Sequence, residues 1–138
     1  MGDLIIMTKR NDKEAASLAR FARMLISDRR KREELFPPLL FSDPAWDMLL
    51  DLFAAEAEGK KISITSLSIA SAAPQSTAQR WIDTLVEKKL IRREPDPVDK
   101  RRIYVRLSNS GYQNMRDYLG ELTQQWHGYA AQSPGQNS

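Results

Sequence analysis
The chain has 138 residues, 41% of them hydrophobic and 28% charged, and a net charge of +3. That length holds one compact domain with a single core, and the hydrophobic share argues against disorder over most of it. With no cysteine, the chain has no disulfide, thiolate sensor, zinc finger or iron–sulfur centre. Near the N-terminus the apolar run Leu4–Met7 is too short for a signal peptide or a membrane span. Ile6 stands where a myristoylation signal needs Ser or Thr, so cytoplasm is the expected compartment. Charge is uneven: Lys88 to Arg106 carries eight basic residues against three acids, leaving the remainder slightly acidic. A local basic concentration on a near-neutral body points to a polyanion site, and a solvated charged hairpin fits the same count equally well.

In chain order, residues 1–11 read as an N-terminal extension and 12–34 as a helix. Ala15, Leu18, Ala22 and Leu25 recur at three–four spacing, with Ala19 and Ile26 widening the stripe. The polar run RRKREE at 29–34 reads as a solvated helix end, and Pro37 and Pro38 stop it. A second helix starts with Asp43 as N-cap, Pro44 at its first position and Asp47 in its first turn. Its stripe is Trp46, Leu49, Leu50, Phe53 and Ala57, and Gly59 closes it.

Residues 62–79 contain no charge. Ile62, Ser63 and Ile64 alternate as a very short strand, and Thr65 is placed to cap a short helix through Leu67, Ile69 and Ala70. Pro74 ends that helix and opens another, whose stripe runs through Ala78, Trp81, Ile82 and Leu85 as far as Lys89. Helical periodicity on both sides of one proline speaks against a linker and for two short helices joined by a tight turn. Leu67, Ile69, Ala70 and Ala78 are expected inward, and Trp46 and Trp81 in the core.

Period two follows. Ile91, Ile103, Val105 and Leu107 alternate with Arg92, Arg102, Tyr104 and Arg106 around a turn at Asp96–Lys100, which makes a hairpin with an apolar inner face and a cationic outer one. Ser108 caps a last helix with the stripe Tyr112, Met115, Leu119, Leu122, Trp126 and Tyr129, and residues 130–138 read as a disordered tail. His127, the single histidine, reads as a surface or interface residue.

The fold class is therefore mainly α with a small β-hairpin (α+β). It is a winged helix-turn-helix flanked by N- and C-terminal dimerisation helices, in one domain over 12–129. The helix-turn-helix lies at about 65–89, the wing at about 91–107 and the C-terminal helix at about 108–129. The stripes of the terminal helices exceed what one small core can bury, which argues for a homodimer with Leu119 and Leu122 in its seam.

The segment STAQRWIDTLVEKKLIRREPDPVDKRRIYVRLSNSG resembles the recognition helix and wing of the MarR family of transcriptional regulators. The strongest local match is DPVDKRRIYVRLSNSG, through Asp96, Pro97, Asp99, Arg101, Val105, Leu107 and Gly111. The resemblance implies a homodimer on a pseudo-palindromic double-stranded operator, with Ser76, Thr77, Gln79 and Arg80 facing the major groove. Gln75, at the same helix start and off its apolar stripe, joins them as a reading residue. Arg101 becomes the wing-tip arginine, oriented by Asp99, with Lys100 and Arg102 beside it. A small-molecule effector pocket is also implied, with Phe21, Phe36, Phe41 and Trp46 as candidate lining, although plain core is the preferred reading of those four. Lys89 and the pair Ala72–Ala73 depart from the family pattern, which favours Gly there.

Competing roles exist for several of these residues. Ser76 or Thr77 could cap its own helix, and Arg80 could pair with Asp83 or Asp47. No catalytic residue, cofactor site or metal site is expected, since there is no Gly-rich phosphate loop and no convincing carboxylate pair; the chain does not read as an enzyme. The rival to sequence-specific DNA binding is a winged-helix protein-interaction module whose wing docks an acidic partner.

Overall fold
A computed structural model of the chain describes residues 2–131, and side chains over 13–130. In order its elements are α1 (Gly2–Leu35), α2 (Pro44–Ala57), β1 (Ile62–Ser63), α3 (Ile64–Ala70), α4 (Gln75–Glu87), β2 (Ile91–Pro95), β3 (Ile103–Leu107) and α5 (Asn109–Ala131). The three strands form one antiparallel sheet in the order β1-β3-β2. Helix α1 reaches farther toward the N-terminus than its apolar stripe implies. Most of the expected tail lies outside the described residues, and Ala130 and Ala131 belong to α5.

Helix α2 is the centre of the molecule. Met48, Leu50, Phe53 and Ala54 are fully buried, and α1, α3, α4, α5 and β3 all pack against it. A helix covered on most of its circumference is apolar most of the way round, as MLLDLFAA is. Asp43 takes the N-cap position, but its side chain makes no capping bond. Gly59 ends the helix with φ +70°, its N–H on the Glu56 carbonyl (3.2 Å) and that of Lys60 on Ala55 (2.9 Å). This is the Schellman pattern.

The same pattern ends α4, where Lys89 donates to Val86 and Leu90 to Leu85, both at 3.0 Å. Here the left-handed residue is Lys89, with φ 61°, and Ala72 after α3 has φ 56°. Both departures from the glycine pattern thus fall where the backbone is left-handed, a conformation that costs an L-residue roughly 1–2 kcal/mol. Ala72→Gly and Lys89→Gly are each expected to stabilise the fold by about 0.5–1 kcal/mol, after the entropic cost of glycine. Thermal melts of the single and double variants check this, and a lower melting temperature for both would contradict it.

Several expectations are corrected by packing. The cap of α3 is Ser63, whose hydroxyl accepts from the Ser66 N–H at 3.1 Å, and Ile64 is helical rather than part of the strand. Leu67 and Ala78 point inward as expected, but Ile69 is 74% exposed and Trp81 39%. Leu67 of α3 and Ala78, Ile82 and Leu85 of α4 are the buried residues of the two helices. Trp46 is half-buried and meets Tyr118 edge-to-face at 5.3 Å. Ile103 lies at the open end of the wing and is exposed.

The α5 stripe divides. Met115 and Leu119 are core and Tyr112 packs against it, Leu122 is half-buried, and Trp126 and Tyr129 are exposed. One chain therefore buries more of the stripe than expected. Phe21 meets Trp126 edge-to-face at 5.6 Å, whereas Phe36 and Phe41 meet each other at the surface. The run RRKREE is not simply a solvated end either: Arg29 and Arg30 reach the buried Asp47, and the Arg29 side chain is largely covered.

Candidate nucleic-acid interface
The turn between α3 and α4 is built by Ser71 and Pro74. The buried Ser71 hydroxyl donates to the Ser68 carbonyl (2.6 Å) and accepts the Ala73 N–H (3.3 Å). Pro74 then takes the N-cap position of α4 with extended backbone and offers no capping side chain. Among the described residues the first-turn N–H groups of α4 therefore meet no capping side chain, which leaves the positive end of the helix dipole open.

This settles the competing role of Ser76 and Thr77. They sit inside the first turn, neither caps the helix, and Ser76 is exposed while Thr77 is half-buried. Gln75, Gln79 and Arg80 are exposed along the same edge, opposite Ala78, Ile82 and Leu85 in the core. Arg80 has no ion-pair partner among the described residues, since Asp83 is taken by Arg93 and Asp47 by Arg29 and Arg30.

Two residues that the sequence reading did not place in the site, Asp83 and Arg93, complete this edge. Asp83 accepts a hydrogen bond from Gln79 Nε2 at 3.4 Å and a short one from Arg93 Nη2 on β2. Arg93 pairs with Val105 in the sheet register, so it shares the inner face of the hairpin with Ile91 and is aimed at α4. The i,i+4 spacing of Gln79 and Asp83 was a usable signal. The identity of the arginine was not, because it depends on how the wing folds back.

On the wing, charge is sorted by position. At the base, Arg92 pairs with Glu94 (3.1 Å), and Arg106 with Glu56 (2.5 Å) and Glu94 (3.8 Å). The outer face is therefore less cationic than the sequence alternation implies. At the tip, the Asp96 carboxylate accepts the N–H groups of Val98 (2.8 Å) and Asp99 (3.1 Å), and these bonds hold it below the usual carboxylate range. Asp99 in turn accepts the N–H (3.0 Å) and Nε (3.3 Å) of Arg101, whose side chain is 93% exposed. Lys100 is exposed beside it, and Arg102 leans on the Tyr104 hydroxyl at 3.5 Å. The structure thus brings Asp99, Lys100, Arg101 and Arg102 together at one tip, and Gln75, Ser76, Thr77, Gln79 and Arg80 together on one helix edge.

The hairpin is seated by Ser108 and Gly111. The Ser108 hydroxyl accepts the Gly111 N–H (3.0 Å), as expected of an N-cap, and donates to the Lys89 carbonyl (2.7 Å). A helix-turn-helix whose second helix leads into a three-stranded sheet with a projecting hairpin is a winged helix. The family model of the MarR family matches residues 46–103, from α2 to the start of β3. Over that segment the chain is similar to the MarR family, with which it shares this winged helix.

Solved structures share the fold. A point mutant of Staphylococcus aureus MepR bound to an oligodeoxyribonucleotide matches with a TM-score of 0.56 and 19% identity, over 99% of this chain and 86% of that one. S. aureus MepR bound to ethidium bromide matches with a TM-score of 0.51 and 18% identity over the same shares. AF1382 from Archaeoglobus fulgidus has a TM-score of 0.51 and 20% identity, over 67% of this chain and 93% of that one. At such identities the likeness establishes the fold alone. No curated protein sequence matches the chain. No helix among the described residues is long and apolar enough to cross a membrane.

Proposed function
We propose that the protein is a homodimeric, sequence-specific regulator that binds a pseudo-palindromic duplex, with α4 in the major groove and the wing tip on the adjacent backbone and minor groove. The observation that carries this reading is the exposed edge of α4. Gln75, Ser76, Gln79 and Arg80 are exposed, neither Ser76 nor Thr77 is needed as a cap, and Arg80 has no ion-pair partner among the described residues. Uncharged amides and hydroxyls suit base edges, while Arg80, Lys100, Arg101 and Arg102 supply attraction to phosphate. The MepR neighbour with a bound oligodeoxyribonucleotide supports the same reading by analogy.

Dimerisation rests on the exposed end of the α5 stripe. Leu119 is fully buried within one chain, so a charge there unfolds the protein and says nothing about a seam. Tyr129, 83% exposed on the same stripe, is the better probe. A cleft of about 500 Å³ between α1, α2, the wing and α5, lined by Ala15, Ala57, Arg92, Arg106 and Tyr112, is the place for an effector in this reading. It involves none of the four aromatic residues first considered.

Selection of duplexes from a random pool, followed by salt titration of the selected site, tests the function. A homodimer with two wings is expected to give a log–log salt slope steeper than about −3, as several phosphates are neutralised. Sizing is expected to show a dimer that Tyr129→Glu shifts toward monomer. No duplex binding at low salt would replace this reading with that of a winged-helix module docking an acidic protein.

A further inference from the structure
The pair Arg29–Arg30 has no role in the interface above, yet both side chains turn inward. Arg30 makes three contacts with three elements. Nη1 donates to Glu33 of α1 at 2.8 Å, and Nη2 lies 3.5 Å from Asp47 Oδ2 of α2. The same Nη2 donates at 2.5 Å to the carbonyl of Ala70, the last residue of α3. Ala70 is separated from α4 only by the turn through Ser71, the left-handed Ala72, Ala73 and Pro74.

Arg29 braces the same carboxylate. Its Nε is 2.6 Å from Asp47 Oδ1, its Nη1 donates to the Phe41 carbonyl at 3.1 Å, and Asp43 lies 3.9 Å away. Asp47 is buried, and loss of water pushes its carboxyl up to about 6 against the opposing pull of both arginines. A buried ionic cluster of this kind is a poor source of net stability, and its best-attested use is to select one geometry over its neighbours. A carbonyl at a helix C-terminus is among the groups the helix itself leaves unpaired, and a guanidinium there also meets the negative end of the dipole.

We infer that Arg30, anchored by Asp47, is a positioning residue that sets the angle between the long helix α1 and the reading helix α4. This rests on the homodimeric reading above. If α1 and α5 join the two protomers, the strut fixes how far apart and at what twist the two α4 helices enter the duplex. It acts on operator geometry rather than on base identity. The chain carries the means for this in consecutive residues: one arginine holds the carboxylate in place, and the next bridges it to the turn.

Half-site spacing is the readout that separates positioning from simple support. Adding one base pair between half-sites rotates them by about 35° and moves them by about 3.4 Å. The selected operator and versions with one base pair added or removed would be titrated against the full chain, Arg30→Met and, as a control, Arg32→Met at an exposed position of the same helix. The unmodified chain and Arg32→Met are expected to discriminate against the altered spacings by about tenfold or more. Arg30→Met is expected to reduce that discrimination to less than about threefold, with base preferences within each half-site unchanged. If Arg30→Met does not fold, Arg30→Gln is read by the same criterion. Retained spacing discrimination in a folded Arg30 variant would overturn the inference while leaving the function intact. Absence of specific binding or of any spacing preference in the unmodified chain would instead overturn the homodimeric reading, and the strut with it.

Discussion
Gly111→Ala is expected to lower stability by about 3 kcal/mol, the upper range for over-packing, and the melting temperature by about 10 °C. A Cβ at this position would lie 2.1 Å from the Leu90 carbonyl oxygen and 3.0 Å from its carbon. Neither partner has room to yield. The Leu90 carbonyl already accepts the Ser108 N–H at 2.9 Å, and the Gly111 N–H is held by the Ser108 hydroxyl. Leu90 also sits directly after the left-handed Lys89 that closes α4. The strain therefore falls on the junction where α4 ends, the wing begins and α5 starts. Thermal unfolding followed by circular dichroism measures the effect, and a melting temperature within about 2 °C of the unmodified chain would show that the contact is not as rigid as it looks.

The second large effect is expected at the wing tip. In the homodimer proposed above, Arg101→Ala removes one cation from each of two wings, and at about 1–2 kcal/mol per contact the operator affinity should fall roughly 30- to 1000-fold. Position decides this more than charge. The Arg101 side chain extends into solvent and is oriented by Asp99, whereas Arg92 and Arg106 at the wing base are engaged by Glu94 and Glu56. Asp99→Ala is expected to cause a smaller loss, because the cation remains and only its orientation is released. Arg92→Ala is expected to change affinity no more than about threefold. Titrations of the three variants at one salt concentration decide the matter; an Arg92→Ala loss equal to that of Arg101→Ala would mean that the wing acts through total charge rather than through its tip.

Much of the fold is legible from local chemistry. Pro44, Gly59, Pro74 and Ser108 all mark boundaries found in the structure, because breaking or capping a helix involves groups within one turn of the residue concerned. The switch from helical to alternating periodicity after Leu90 likewise places the wing correctly. Reading goes astray where more than one local partner is available. Ser63 outcompetes Thr65 as the cap of α3, and Ile69 and Trp81 belong to apolar stripes but face outward. Periodicity states that a helix has a face. Which edge of that face is covered depends on what packs against it.

The candidate site divides in the same way. The exposed edge of α4 needed only the helix start at Gln75 and the apolar positions Ala78, Ile82 and Leu85, and both are written in consecutive residues. The partners of charged side chains are not. Arg93 finds Asp83 because the hairpin folds back on α4, Arg106 finds Glu56 fifty residues earlier, and Arg30 finds Ala70 forty residues later. By itself, the sequence determined the order of helices and strands, their breaks, and which residues of the uncharged stretch could be spared for reading. Only the tertiary structure decided which charges stay available. Helix and strand signals act over a few residues, whereas an ion pair depends on distances between elements that exist only once the core around α2 has closed.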